Sequence, residues 1–212
     1  ERSHVTEVTG GRDAHVKTAN GRTVTCRHIV VATAAPINDR VPIYAKQAPY
    51  RTFAIAVSVP KGSVKPGLYW DTPDPYHYVR LQGEDLLIVG GEDHKTGHAD
   101  DAELRFQALE AWTRKRVPDA GEVQARWSGQ VFETADGLAM IGRNPMDEDN
   151  VYVVTGDSGM GMTHGTIAGF LLTELIQGRG HPWAKLYDPA RKPLHALRDF
   201  APLMLAVSSP NV

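Results

Sequence analysis

The chain has 212 residues, 42% of them hydrophobic and 23% charged, with a net charge of −2. Four Trp, seven Tyr and five Phe exclude a disordered chain, and the absence of a Lys/Arg-dense stretch excludes an electrostatic nucleic-acid binder. The apolar runs fall far short of the about 20 residues a membrane helix needs, and one cysteine, Cys26, excludes an internal disulfide or a Cys-based metal cluster. A lone cysteine fits a reducing, cytoplasmic compartment. The chain opens at Glu1 without Met and reads as a piece of something longer.

Residues 5–8, 14–18 and 23–25 read as a small β-meander, with a hairpin signal at Asn20-Gly21. The continuous apolar run 28–32 reads as a strand buried on both faces, as in a parallel sheet. Residues 37–50 read as a connector. In residues 51–60, Phe53, Ile55, Val57 and Val59 alternate with Ala54, Ala56 and Ser58, giving a strand with one large-residue face. Residues 68–70, 77–81 and 86–90 add three strands, so 51–90 is expected to form an antiparallel sheet.

The spacing of Ala102, Phe106, Leu109 and Trp112 predicts a helix over 100–117, capped by Asp100 or Asp101 and stopped by Pro118. Residues 122–132 return to the sheet, and 138–142 form a short apolar segment. Residues 151–155 read as a second doubly buried strand. It runs through Gly156-Asp157-Ser158-Gly159-Met160 into a helix over 161–177, striped by Ile167, Ala168, Leu171, Leu172, Leu175 and Ile176. Residues 179–212 read as peripheral.

The strand–glycine turn–helix at 151–177 carries the chemistry. A helix start exposes unpaired N–H groups, and the helix dipole adds positive potential there. Phosphate or an electron-rich heteroatom suits such a place. Gly161, Gly165 and Gly169 recur every four residues and leave one helical face bare. The plainer reading is a glycine turn that only tightens strand–helix packing.

The run 151–169 resembles the closing flavin-binding segment of the FAD-dependent D-amino acid oxidase and glycine oxidase family. Trp127-Ser128-Gly129, followed by residues 136–142 (Asp-Gly-Leu-Ala-Met-Ile-Gly), resembles the motifs that precede that segment in the family. Residues 29–33 resemble the family strand that returns to the dinucleotide half, and 87–91 a strand of its substrate domain. The family's Gly-x-Gly-x-x-Gly pyrophosphate fingerprint is absent from this sequence.

The resemblance implies a mixed α+β / α/β fold. An antiparallel-sheet substrate domain at 37–135 would be joined to parts of an FAD-binding Rossmann-like domain. Those parts are the meander and returning strand at 1–36 and the closing strand and helix at 136–180, with 181–212 peripheral. It also implies FAD in a longer parent chain whose missing N-terminal half is a partner of this one, and weak flavin retention by this chain alone. The substrate would be a small amine or amino acid. Some members of the subgroup suggested by residues 90–97 carry a Rieske domain, but no cluster ligands lie in this chain.

Carried over by motif, Gly161, Met162 and Thr163 aim N–H groups at the flavin ring, with Gly156, Asp157, Ser158, Gly159 and Met160 beside them. Ala32 and Thr33 lie near the ADP part, Val5 near adenine, and Trp127 and Gly129 near the ring. Amino-acid oxidases of the family place an Arg after Trp-x-Gly to fork onto the substrate carboxylate, but Val131 stands here. Arg80 and Arg51 are the substitutes, with solvated strand arginines as the plainer reading. His94, in a loop after the 86–90 strand, is the acid–base candidate. His94 and His98 with Asp93 and Asp100 lack a fixed third ligand, so no metal site is assigned. His164 reads equally as a surface residue of the helix. The rival reading of the whole chain is a non-catalytic binding module that uses an open sheet.

Overall fold

A computed structural model describes residues 2–38 and 43–192. Residues 39–42 of the expected connector and 193–212 of the expected peripheral segment lie outside the described residues. The chain divides into two compact units: Pro49–Val131, and a discontinuous unit of Glu1–Ala48 with Phe132–Val212. The expected substrate domain, 37–135, is therefore wider than the compact central unit. The boundaries fall inside two long strands, β5 (Gln47–Ser58) and β9 (Val123–Thr134).

The discontinuous unit opens with the meander β1 (Val5–Thr9), β2 (His15–Thr18) and β3 (Thr23–Thr25), in the order β1-β2-β3. A second sheet has the order β10-β11-β4. In it β4 (Ile29–Val31) runs parallel to β11 (Val151–Thr155), which pairs antiparallel with β10 (Met140–Arg143). The parallel pairing expected of the two apolar runs is present. Strand β4, however, is buried on one face only: Ile29 and Val31 are buried while Val30 is 44% exposed. It is the edge of its sheet among the described residues.

Helix α2 (Gly161–Ile176) lays Ala168, Leu171 and Leu172 on Ala139, Ile141 and Tyr152. Tyr187, at the end of the short α3 (Ala184–Tyr187), joins this core. The segment after α2 is thus packed rather than peripheral as far as it is described. Pro189 also sits so close to Gly142 that a Cβ there would lie 2.8 Å from Pro189 Cδ.

The central unit is one antiparallel sheet in the order β6-β7-β8-β5-β9, built from β5, β9, β6 (Leu68–Trp70), β7 (Tyr78–Gln82) and β8 (Leu86–Lys95). Helix α1 (Ala102–Arg116) covers one face. Phe53, Ile55, Val57, Leu87 and Val89 meet Leu109 there, with Phe106 and Trp112 alongside, as the sequence periodicity requires. Neither aspartate caps α1 with its side chain: Asp101 occupies the N-cap position, but its carboxylate forks onto Arg105 at 2.9 and 3.1 Å.

Strand β8 runs five residues past its expected end at Gly90. The Gly90-Gly91 pair lies inside the strand, just before a bulge, rather than at its terminus. Phe53 pairs with Gly91 and Arg51 with His94, so β8 carries one extra residue there. Gly91 (φ +149°) and Glu92 (φ +57°) take up the irregularity.

Among the described residues, no helix is long and apolar enough to cross a membrane. None of their His, Cys, Asp and Glu side chains form a group of three or more that could hold a metal ion.

Candidate functional site

In the discontinuous unit, β11 delivers the chain into a left-handed turn. Gly156 (φ +70°), Ser158 (φ +49°) and Gly159 (φ +76°) all take positive φ. The turn is tied down by the Ser158 N–H donating to Phe132 O at 3.0 Å and the Met160 N–H donating to Asp157 O at 2.8 Å. Met160 is the N-cap of α2, and no side chain caps the helix. The N–H groups of Gly161, Met162 and Thr163 therefore head the helix with no intrahelical acceptor.

The residues at this end are open. Met160 is 57% exposed and Met162 92%, and a Cβ at Gly165 or Gly169 would meet nothing within 4 Å. The glycine face is thus distinct from the buried stripe of α2. Gly161 itself has ordinary helical backbone, and a Cβ there would lie 2.7 Å from Asp157 Oδ2. His164 is buried at 8% exposure, its Nδ1 3.1 Å from Asp157 O and its ring edge-on to Tyr187. It is an internal brace of the helix start, not a surface residue.

Behind the turn lies a polar knot that sequence reasoning missed. The Thr155 hydroxyl donates to Ala34 O, and Gln47 Oε1 lies 3.1 Å from the same hydroxyl. Gln47 is buried at 3% exposure, and its Nε2 has no hydrogen-bond partner among the described residues. Ser158 Oγ, in the turn itself, is likewise buried without one. The only sequence signal for Gln47 was a lone amide at the start of an apolar strand.

Ala32 and Thr33 follow β4 and are exposed, with the Thr33 hydroxyl donating to Ala35 O at 2.6 Å. Val5 begins β1, opposite Thr18. These residues share the discontinuous unit with the glycine turn.

In the central unit, strand alternation sorts the candidates onto opposite faces. Trp127 and Gly129 on β9 alternate with Arg126 and Ser128. Arg126 reaches Glu103 and Glu110 of α1, so Trp127 and Gly129 point to the face that α1 leaves uncovered. Arg80 shares that face, opposite Ile88, with its Nη1 donating to Gln82 Oε1 at 2.7 Å. Tyr78 lies across Gly90 on the same face, where a Cβ would fall 2.0 Å from the ring. Leu68 and Trp70 flank it on β6, 74% and 72% exposed.

His94 and Arg51 sit on the other side. His94 lies within β8 rather than in a loop, stacked on Phe53 at 5.7 Å with its Nδ1 3.0 Å from Lys95 O. Arg51 pairs with it in register and donates to Ser128 Oγ at 3.1 Å. The face that α1 covers also holds a network the sequence analysis did not single out. His77 is buried between Asp71 and Glu92, its two ring nitrogens each 3.1 Å from a carboxylate oxygen, and stacks on Trp112 at 4.4 Å. Burial pushes the Asp71 carboxyl up, but the backbone N–H and imidazole of His77, with Arg116 beyond, outweigh it and hold Asp71 below its ordinary value. Burial pushes the nearby Asp93 carboxyl up, with the Glu92 carboxylate beside it acting in the same direction.

The glycine turn and the uncapped helix start fit a flavin. They offer N–H donors beside a helical face left bare at Gly165 and Gly169, where charge that develops on a ring edge would meet fixed dipoles.

Comparison with known proteins agrees. Residues 1–175 match the family model described as FAD dependent oxidoreductase. The chain is 31% identical over 187 residues to gamma-glutamylputrescine oxidoreductase of Escherichia coli, covering 84% of this chain and 43% of that protein. It is 26% identical over 189 residues to Bacillus subtilis YhfW, named for a Rieske 2Fe-2S iron–sulfur protein, covering 87% of this chain and 37% of that one. Glycine oxidase from Geobacillus kaustophilus superposes with a TM-score of 0.69 at 20% identity, over 91% of this chain and 53% of that one. L-proline dehydrogenase from P. horikoshii gives a TM-score of 0.68 at 21% identity, over 87% of this chain and 53% of that one. The chain spans about two fifths of the length of those curated relatives and about half of those solved chains. This chain belongs to the family of FAD-dependent oxidoreductases that the model describes.

Proposed function

We propose that this chain is the carboxyl-terminal half of a cytoplasmic flavoenzyme that oxidises an amine or amino acid. The observation that carries the reading is the uncapped start of α2 behind a turn of three positive-φ residues. In this reading, N–H groups of Gly161, Met162 and Thr163 hold the flavin ring, and residues 156–160 shape the approach. Val5, Ala32 and Thr33 belong to the ADP side. When bound, the flavin supplies the acceptor for a hydride lost from the carbon next to the substrate nitrogen, leaving an imine after loss of a proton.

The residues of this chain bind and orient. The face of the central sheet left uncovered by α1 takes the substrate, with Arg80, Tyr78 and Trp127 as its polar and aromatic groups. Arg80 is our candidate to receive a carboxylate, a reading supported by its guanidinium having only Gln82 as a side-chain partner among the described residues. His94 lies on the opposite face, stacked on Phe53, and so does not reach a substrate held on the uncovered face. An unchanged pH profile of turnover in His94→Ala is the expected result.

The experiment is expression of the full-length protein, an absorbance spectrum, and reduction by a panel of amines and amino acids without oxygen. The expected result is a yellow protein bleached by at least one amine or amino acid. A colourless protein that takes up no added FAD would return the chain to the binding-module reading, in which exposed Leu68 and Trp70 are the contact surface.

A further inference from the structure

Arg191 lies in the segment after α3, where no sequence motif points to a functional residue. All five of its N–H donors are engaged. Nε donates to Asp136 Oδ2 at 2.7 Å and Nη2 to Asp136 Oδ1 at 2.8 Å, a bidentate fork. Nη2 also donates to Leu138 O at 2.5 Å, while Nη1 donates to Ala139 O at 3.0 Å and Asp188 O at 3.3 Å. Four of the five bonds thus end on residues 136–139. Arg191 is 14% exposed and Asp136 26%, so the pair is screened from water far more than a surface ion pair.

The loop held in this way forms one side of the glycine turn. The Thr134 hydroxyl donates to Leu138 O at 2.8 Å, and the Gly137 N–H donates to Thr134 O at 3.2 Å. Thr134 in turn packs on Gly156, where a Cβ would fall 2.3 Å from Thr134 Cγ2. Two residues before Thr134, Phe132 O accepts the Ser158 N–H. A second tie runs in parallel: Lys46 Nζ donates to Pro189 O at 2.7 Å, and Lys46 O accepts the Ala135 N–H at 3.1 Å. Residues 188–191 are therefore joined by continuous hydrogen bonds and contacts to the turn that opens α2.

We propose that Arg191 is a positioning residue for the flavin turn, setting the 134–139 loop against which residues 156–160 are built. The proposal rests on the reading of the α2 start as the flavin's partner. Arg191 acts through the loop and touches neither flavin nor substrate. Lysine keeps the charge but not the planar fork, so it cannot satisfy Asp136, Leu138 and Ala139 together.

The test uses the full-length protein with Arg191→Lys and Asp136→Asn, the second variant keeping the chain measurable if the first does not fold. The first readout is hydrogen exchange of the flavin-free protein at the Gly137 and Ser158 amides. The second is the FAD dissociation constant, measured well below each variant's melting temperature. The expected result is faster exchange at both amides and FAD binding weakened about three- to thirtyfold, the range for coupling through a contiguous network. A lower melting temperature with unchanged Ser158 exchange and unchanged FAD affinity would make Arg191 a stability residue only, and would overturn the proposal. Wild-type protein that binds no FAD at all would instead reject the flavin reading, while the exchange comparison would still report on the Arg191 link.

Discussion

Single atoms decide how the glycine turn is built. Gly156 has a positive φ and no room for a Cβ, because Thr134 Cγ2 would lie 2.3 Å away and Gln47 Oε1 3.1 Å away. An L-residue at such a φ costs about 1–2 kcal/mol before any contact is counted. Gly156→Ala should therefore destabilise the full-length protein by more than that and lower its flavin content. Urea denaturation with a flavin assay reads both, and unchanged stability would show that the turn tolerates a side chain. Gly161 differs. Its backbone is helical and its nearest obstacle is the flexible end of Asp157, so the fold itself does not require glycine there.

The elements show what a sequence pattern reveals and what it hides. The helix α1 stripe, the alternation in β5 and the two apolar strands β4 and β11 were legible because periodicity reports burial directly. The course of β8 was not. Gly90-Gly91 looks like a terminus, yet Gly90 makes room for the Tyr78 ring and Gly91 opens a bulge. That misplacement moved His94 from strand to loop on paper, and only the register with Arg51 shows which face it occupies. The glycine turn was legible from its glycines, whereas Gln47 and Arg191 were not, since their partners Thr155 and Asp136 lie 108 and 55 residues away.

The Asp71–His77–Glu92 network escaped although its members are only 6 and 15 residues apart, because no motif marks it, and it has a measurable consequence. A carboxyl held below its ordinary value binds fewer protons in the folded protein than in the unfolded one. Its stabilisation is present above the usual carboxylate range and is lost as pH falls below about 4. His77→Gln removes the imidazole from Asp71, so the variant should lose less stability than wild type as pH falls from neutral to below that range. Denaturant midpoints at several pH values test this, and parallel pH curves for the two proteins would contradict it.

At the scale of the whole molecule, the account divides labour between two units. One carries the uncapped helix start, the other an open sheet face with Arg80, Tyr78 and Trp127. Its central claim is that the α2 start is the flavin's electrostatic partner, favouring the reduced ring because negative charge grows at its edge. The direct measurement is a redox titration of the flavin in full-length Gly161→Val, with flavin content determined on the same sample. Valine keeps the N–H at 161 but pushes the ring away from it, and losing contact with one preorganised donor to developing charge typically costs about 3 kcal/mol. The account predicts a folded protein that has lost its flavin or retains it with a lowered reduction potential. Full occupancy with an unchanged potential would contradict it and leave residues 156–161 as a tight turn that packs a helix on a sheet.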